Sequence, residues 1–294
     1  MSGTARRYPR YGIVGLVGLC GMQAALLCAG FHVLENFPWW WITANATPVC
    51  WWGYILAVDA WLYRRNGASL LTTKRELLVV QCILSVVFWC LFEAYNRVMP
   101  GWQYINLPED MSLRLLGYAV AFATIMPGLF LTCEALQTLG AFSGATMPRV
   151  RWNNTALRCS VMVGALFSLV PPFCPEKSRG YLWAFVWMGW FFLLEPFNYR
   201  RGLPSIFRDW ERGDLSRTLR LFATGALCGL LWEFWNVWAF TKWKYTFFPP
   251  HLQGWKYFEM PVVGFLGFLP FALEYFVMFH FVASFFTKED KLGL

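Results

Sequence analysis

The sequence predicts an all-α polytopic membrane protein of about eight transmembrane helices, built as two parallel four-helix repeats. Three observations carry this prediction. Of 294 residues, 57% are hydrophobic and 14% charged, with a mean hydropathy of +0.42, whereas an average soluble domain carries roughly 25% charged residues. Apolar runs near the roughly 20 residues that a helix needs to cross a bilayer recur along the whole chain. Finally, polar patterns in and beside these runs occur twice. Glu93, Asn96, Trp102 and Tyr104 return as Glu233, Asn236, Trp243 and Tyr245 at offsets of 140 and 141, and Asp59 with Tyr63-Arg64-Arg65 returns as Glu195 with Tyr199-Arg200-Arg201 at an offset of 136. A unit written twice at a nearly fixed spacing is the mark of a repeat architecture.

The candidate spans are 12–33, 39–61, 77–97, 112–137, 156–172, 181–197, 218–240 and 260–284. The first follows a basic start that imitates a signal peptide, but it is a long apolar run without a persuasive cleavage site, so it reads as a membrane helix. The fifth and sixth are short, and Pro171-Pro172 and Glu195-Pro196 suggest ends or kinks there. The first repeat covers 1–140, a polar cytoplasmic linker 141–155, and the second repeat 156–294. Each repeat holds an even number of spans, so the two share one orientation and are related by an axis along the membrane normal. Lys and Arg gather in cytoplasmic loops. With the N-terminus inside, one face holds 18 of the 25 basic residues, Lys288 and Lys291 among them, which predicts both termini on the cytoplasmic side of a bacterial-type inner membrane. The net charge of +8 is explained by lipid headgroups and requires no nucleic acid.

After Tyr199-Arg200-Arg201, Ile206, Phe207 and Trp210 share one helical face and Arg208, Glu211 and Arg212 the other, the pattern of a short helix lying in the membrane interface. The pairs Arg64-Arg65 and Arg200-Arg201 act as topology anchors or as bidentate ligands of a lipid phosphate. Nine cysteines show no Cys-x-x-Cys spacing, and His32, His251 and His280 are isolated. No metal, haem or nucleotide motif is present, so no cofactor is expected.

Acids inside spans cost about 2.5–3.5 kcal/mol on insertion scales and are therefore candidates for function. Trp89, Glu93 and Asn96 share one helical face, as do Gly229, Glu233 and Asn236, and these two sets are expected to meet where the repeats touch. Pro127 precedes Glu134 by seven residues and Pro270 precedes Glu274 by four. Each proline is expected to release a carbonyl, of Ala123 and Leu266, at membrane depth. Aromatic residues are 20% of the chain, with 18 Trp, 12 Tyr and 28 Phe. Trp232 and Trp235 flank Glu233, and Phe271 and Tyr275 flank Glu274, so both acids are expected to face one aromatic cavity. There, a protonated carboxyl meets the requirements for protonating an alkene. Hydrogen-bonded glue between helices and aromatic packing are the plainer accounts of the same residues.

Trp232-Glu233, then Trp243-x-Tyr245, then Phe258-Glu259-Met260-Pro261, with Pro108-Glu109-Asp110 in the first half, resemble the membrane lycopene cyclase domain of paired or fused carotenoid cyclases. The likeness covers about 65 residues per half. That family is a tandem of small helical units with a Trp-Asp helix end, a Trp-x-Phe/Tyr stop and a Pro-x-Glu-Glu opening. The last motif is absent here, and Glu259 precedes its proline, so no role is carried over to Glu259 or Glu109. The resemblance implies a carotenoid or other isoprenoid substrate and a cofactor-free cyclase or isomerase. Two other classes share the sequence features: a proton-coupled transporter, and an accessory subunit working with a second copy or a membrane-complex partner.

Overall fold

The computed structural model describes residues 6–246 and 255–286, so His251, Lys288 and Lys291 lie outside the described residues. Within them, α1 (Arg10–Gly30), α2 (Trp39–Thr43), α3 (Ala46–Asn66) and α4 (Arg75–Val98) lead to strand β1 (Trp102–Ile105), followed by α5 (Met111–Phe122) and α6 (Ile125–Thr138). Then come α7 (Asn154–Leu169), α8 (Glu176–Arg201), α9 (Ile206–Arg212), α10 (Ser216–Val237), β2 (Lys242–Tyr245), β3 (Lys256–Tyr257), β4 (Met260–Pro261) and α11 (Phe268–Ala283), the last preceded by a 3-10 turn at Val262–Gly267. The architecture is all-α, with two small two-stranded ribbons.

Among the described residues, five segments are long and apolar enough to cross a membrane: Arg10–Gly30, Arg75–Val98, Met111–Thr138, Asn154–Phe173 and Val262–Ala283. Helices α3, α8 and α10 have 21, 26 and 22 residues, enough for a crossing by length, but they carry the acids and arginines that dilute their hydropathy. The outer helices show what surrounds them. Val79, Ile83 and Val87 of α4, spaced four residues apart, are all more than half exposed, and Ile13, Val14 and Val17 of α1 are equally bare. Continuous exposed apolar stripes of this kind face lipid.

Tight pairing sets the positions of the inner helices. A Cβ at Gly15 of α1 would come within 2.7 Å of the Gly53 carbonyl on α3. Likewise, a Cβ at Gly189 of α8 would lie 2.9 Å from the Ser168 amide on α7. Small residues let membrane helices approach backbone to backbone, and Gly53 and Gly189 stand 136 residues apart, at the same offset as Asp59 and Glu195.

Three expectations are corrected. The run 181–197 is not a short helix but the middle of α8, the longest helix, which contains Pro196. The run 112–137 is one bilayer-length segment, Met111–Thr138, as expected, and is divided into α5 and α6 at Ala123-Thr124, where the Thr124 hydroxyl bonds the Ala121 carbonyl (2.6 Å). Pro127 and Pro270 are each the third residue of their helix. A first-turn proline removes no α-helical hydrogen bond, so the carbonyl of Ala123 lies between α5 and α6, and that of Leu266 in the 3-10 turn before α11. The third correction concerns α9, whose apolar face is turned into the protein. The linker crosses it with the amides of Met147 and Val150 on the carbonyls of Gly213 (2.9 Å) and Trp210 (3.1 Å), and Trp152 stacks on Phe207 with ring centroids 3.7 Å apart.

Candidate functional site

The duplicated patterns become duplicated hydrogen-bond sets, one at each end of the bundle. At the end holding Arg10, Asp59 accepts from the hydroxyls of Tyr11 (2.6 Å) and Ser69 (2.8 Å) and from the Leu71 amide (3.1 Å). Glu195 likewise accepts from the hydroxyl of Ser205 (2.5 Å) and the Phe207 amide (2.9 Å). The partners lie ten and twelve residues after each acid in both cases. These carboxyls, both fully buried, tie the turn that follows α3 and α8 back to its helix. The signal was in the sequence, since Ser69 and Ser205 share the 136 offset.

At the opposite end, α4 and α10 run out into β1 and β2, and the two strands pair antiparallel with Trp102 opposite Tyr245 and Tyr104 opposite Trp243. Each residue therefore faces the partner of its own counterpart, as a two-fold axis through the ribbon requires. Asn96 accepts from the amides of Gly101 (2.8 Å) and Trp102 (3.0 Å) and donates to the Trp102 carbonyl (3.0 Å). Asn236 accepts from the Trp243 amide (3.0 Å) and donates to its carbonyl (2.9 Å). An amide that both accepts and donates replaces the backbone partners a chain loses on leaving a helix. Replacing Asn236 by Ala orphans these groups, at about 1–3 kcal/mol for a buried polar group. The variant should unfold in detergent at a lower temperature than wild type, and an unchanged midpoint would show that the ribbon does not depend on this anchor.

The two Glu-x-x-Asn helices place their acids against the ribbon. Glu93 Oε1 accepts from Tyr104 Oη (2.7 Å) and Trp102 Nε1 (2.9 Å). Glu233 Oε1 accepts from Tyr245 Oη (2.7 Å) and Trp243 Nε1 (3.4 Å). Trp243 Nε1 also reaches Tyr245 Oη at 2.9 Å, and Trp89 Nε1 reaches Tyr104 Oη at 3.2 Å. Glu233 is fully buried, and its Oε2 has no hydrogen-bond partner among the described residues. Burial pushes the hydroxyls of Tyr104 and Tyr245 well above the ordinary phenol range, so both keep their protons at neutral pH.

The rings of Trp89, Trp102, Tyr104, Trp232, Trp243 and Tyr245 wall a cavity of about 650 Å³, with Phe271 on α11 and Gly264 and Gly267 also on its surface. Its two basic residues are held by the protein: Arg114 grips the Pro108 carbonyl (2.8 Å) and Lys242 pairs with Glu259 (2.7 Å). The cavity surface is thus mostly apolar and rich in aromatic rings, and the acids lie one hydrogen bond behind it.

The predicted residues divide accordingly. Glu93, Asn96, Glu233 and Asn236 are linked through the β1–β2 ribbon, and Trp232 and Phe271 are in the wall. Glu274 does not face the cavity as expected. It is fully buried on the side of α11 turned to α8, where its Oε1 accepts from the Trp190 amide (3.0 Å). Tyr275 stacks on Phe92 away from the wall, and Trp235 donates to Gln23 (3.1 Å) and packs edge-on against Trp51. The arginine pairs belong to the other end of the bundle. Arg65 lies 5.6 Å over Trp61, Arg200 donates to Asn154 (3.1 Å), and Arg201 lies 4.6 Å over Phe285; with Arg64 they stand in the last turns of α3 and α8, far along the chain path from the cavity. The direct donors to the acids, Trp102, Tyr104, Trp243 and Tyr245, stand in the sequence reading as repeat markers, Trp243 and Tyr245 also as a motif of the family resemblance, and not as site residues. No group of three His, Cys, Asp or Glu side chains is placed to hold a metal among the described residues.

Fold and site together define an all-α protein with bilayer-length helices around an aromatic cavity backed by paired carboxyl–tyrosine sites. Neither a family model, nor a curated protein, nor a solved structure matches the chain significantly.

Proposed function

We propose that this chain is an integral membrane enzyme that takes an isoprenoid chain or similar apolar lipid into the aromatic cavity and rearranges it by cofactor-free acid catalysis, as a cyclase or isomerase. The observation that carries the reading is the pair Glu233–Tyr245, with its twin Glu93–Tyr104. In each, a tyrosine lines the apolar wall and its O–H donates to a carboxyl behind it. Protonation of an alkene turns the tyrosine O–H from the carboxyl to the substrate, breaks the O–H bond and forms a C–H bond, while the protonated carboxyl, now the donor, passes its proton to the tyrosine oxygen. The cation left on the substrate is stabilised by the surrounding ring faces. A proton lost from a neighbouring carbon returns through the tyrosine oxygen to the carboxylate, which restores the acid and gives an isomer, with no oxidant consumed. The frame is eight spans in two parallel repeats with both termini cytoplasmic. The matched hydrogen-bond sets and the two-fold register of the ribbon support the repeat, and the basic asymmetry supports the orientation.

The test is the lipid the protein carries. Mass spectrometry of gently purified protein should find a prenyl chain, and Gly267→Trp, which adds an indole at the cavity surface, should lose it. Recovery of only bulk phospholipid, equally from both proteins, would sink the reading. Proton-dependent solute uptake into liposomes would replace it with transport.

A further inference from the structure

A second cavity, of about 430 Å³, opens at the end of the bundle that holds Arg10, and it shares no residue with the aromatic one. We propose that it binds a phosphate group, carried either by the headgroup of an anionic lipid or by a free phosphate. Its polar wall includes Lys74, Arg217, Arg220 and Glu134, and Phe130 and Phe276 line its apolar part. Three cations in the wall, against Glu134 beside them and Asp209 behind Arg217, leave a positive balance in a space too large for a single side-chain carboxylate.

The geometry fits that ligand in three ways. Arg217 and Arg220 are three residues apart on the first turn and a half of α10, so their guanidinium groups share one face. Arg217 is held in place by Asp209 (3.3 Å), and its guanidinium lies 5.3 Å over Phe276, which leaves part of its fork for a ligand. Arg220 Nε is buried without a hydrogen-bond partner among the described residues. A buried charged donor is normally paired, and a planar fork is the group that takes phosphate oxygens two at a time. Lys74 stands immediately before α4, so the starts of α4 and α10 both reach this cavity, and their dipoles favour an anion. Glu134 is electrostatically engaged with Lys74, which leaves the two arginines as the main anion ligands. A basic pocket between helix ends with an apolar flank suits a lipid headgroup. This site does not depend on the acid-catalysis reading.

The experiment uses the full chain in nanodiscs. In phosphatidylcholine discs, inorganic pyrophosphate is titrated while the unfolding temperature is followed. In parallel, discs containing phosphatidic acid are analysed for retained lipid by native mass spectrometry. Stabilisation by pyrophosphate that Arg220→Gln weakens about tenfold or more, the usual size for a lost charged hydrogen bond, identifies a free-phosphate site. Retention of phosphatidic acid by wild type and its loss in Arg220→Gln identifies a headgroup site. Arg220→Lys should keep part of the binding, and Arg158→Gln, on the exposed side of α7, should keep all of it. If Arg220→Gln fails to fold, Lys74→Gln takes its place. Wild-type protein that binds neither probe, or an Arg158→Gln effect equal to that of Arg220→Gln, overturns the proposal.

Discussion

Glu233→Gln should lower the rate of product formation by on the order of 10²–10⁴, the usual contribution of a general acid, and leave the protein folded. Glutamine still offers an oxygen to Tyr245 Oη and Trp243 Nε1, which now meet at Glu233 Oε1, so no buried donor is orphaned; only the transferable proton is lost. Tyr245→Phe should produce a loss of similar size, because Tyr245 is the member of the pair that lines the cavity. If proton transfer runs through both groups in series, the double variant should be no worse than either single one, since residues acting as a unit are strongly non-additive. Independent roles would give multiplied losses. The twin variants Glu93→Gln and Tyr104→Phe then report which half does the chemistry, and the fully buried Glu233 is the expected one. Glu274→Gln should stay within about tenfold of wild type, well under the range expected for a catalytic acid, because that side chain bonds the Trp190 amide and not the cavity. Turnover measured with a prenyl substrate in membranes decides among these outcomes, and full activity in both Glu233→Gln and Tyr245→Phe would rule out acid catalysis.

How much of this was legible depends on whether an interaction is local in the chain. The offsets that relate Glu93 to Glu233 and Trp102 to Trp243 were visible because repeats preserve spacing, and each acid finds its partners within twelve residues of itself. Helix faces were legible for the same reason: residues three and four apart must share one. What lies across a face was not. Phe271 and Glu274 are three residues apart on one helix, yet Phe271 meets the cavity and Glu274 meets α8. That division is set by where α8 passes, which periodicity does not encode. The same holds for α9, whose amphipathic pattern fits a bilayer surface as well as it fits the indole of Trp152. Prolines misled for a different reason. Their effect depends on whether they fall in a first turn or a middle turn, and for Pro127 this is decided by the break at Ala123-Thr124, where neither glycine nor proline stands.

The contact between α10 and α11 gives the largest expected structural effect. A Cβ at Gly225 would stand 1.9 Å from the Phe268 carbonyl oxygen and 3.2 Å from that of Leu269, and one at Gly229 would stand 2.4 Å from the Phe268 ring. At Gly225 the obstacle is backbone, so no rotamer change relieves it and the helices must separate. Gly225→Ala should therefore cost at least the roughly 1–3 kcal/mol of an overpacked core. Phe268 and Phe271 border the aromatic cavity, so separation also displaces its wall while leaving the Glu233–Tyr245 pair, which lies on α10 and its own strand, connected. The expected result is a protein with a lowered unfolding temperature and little bound lipid. Gly18→Ala provides the contrast. With nothing within 4 Å of the added Cβ, it should be neutral or stabilising by up to about 0.5–1 kcal/mol, the helix preference of Ala over Gly. If thermal unfolding in detergent places Gly225→Ala and Gly18→Ala at the same midpoint, then close approach of α10 and α11 is not what holds this side of the cavity in place.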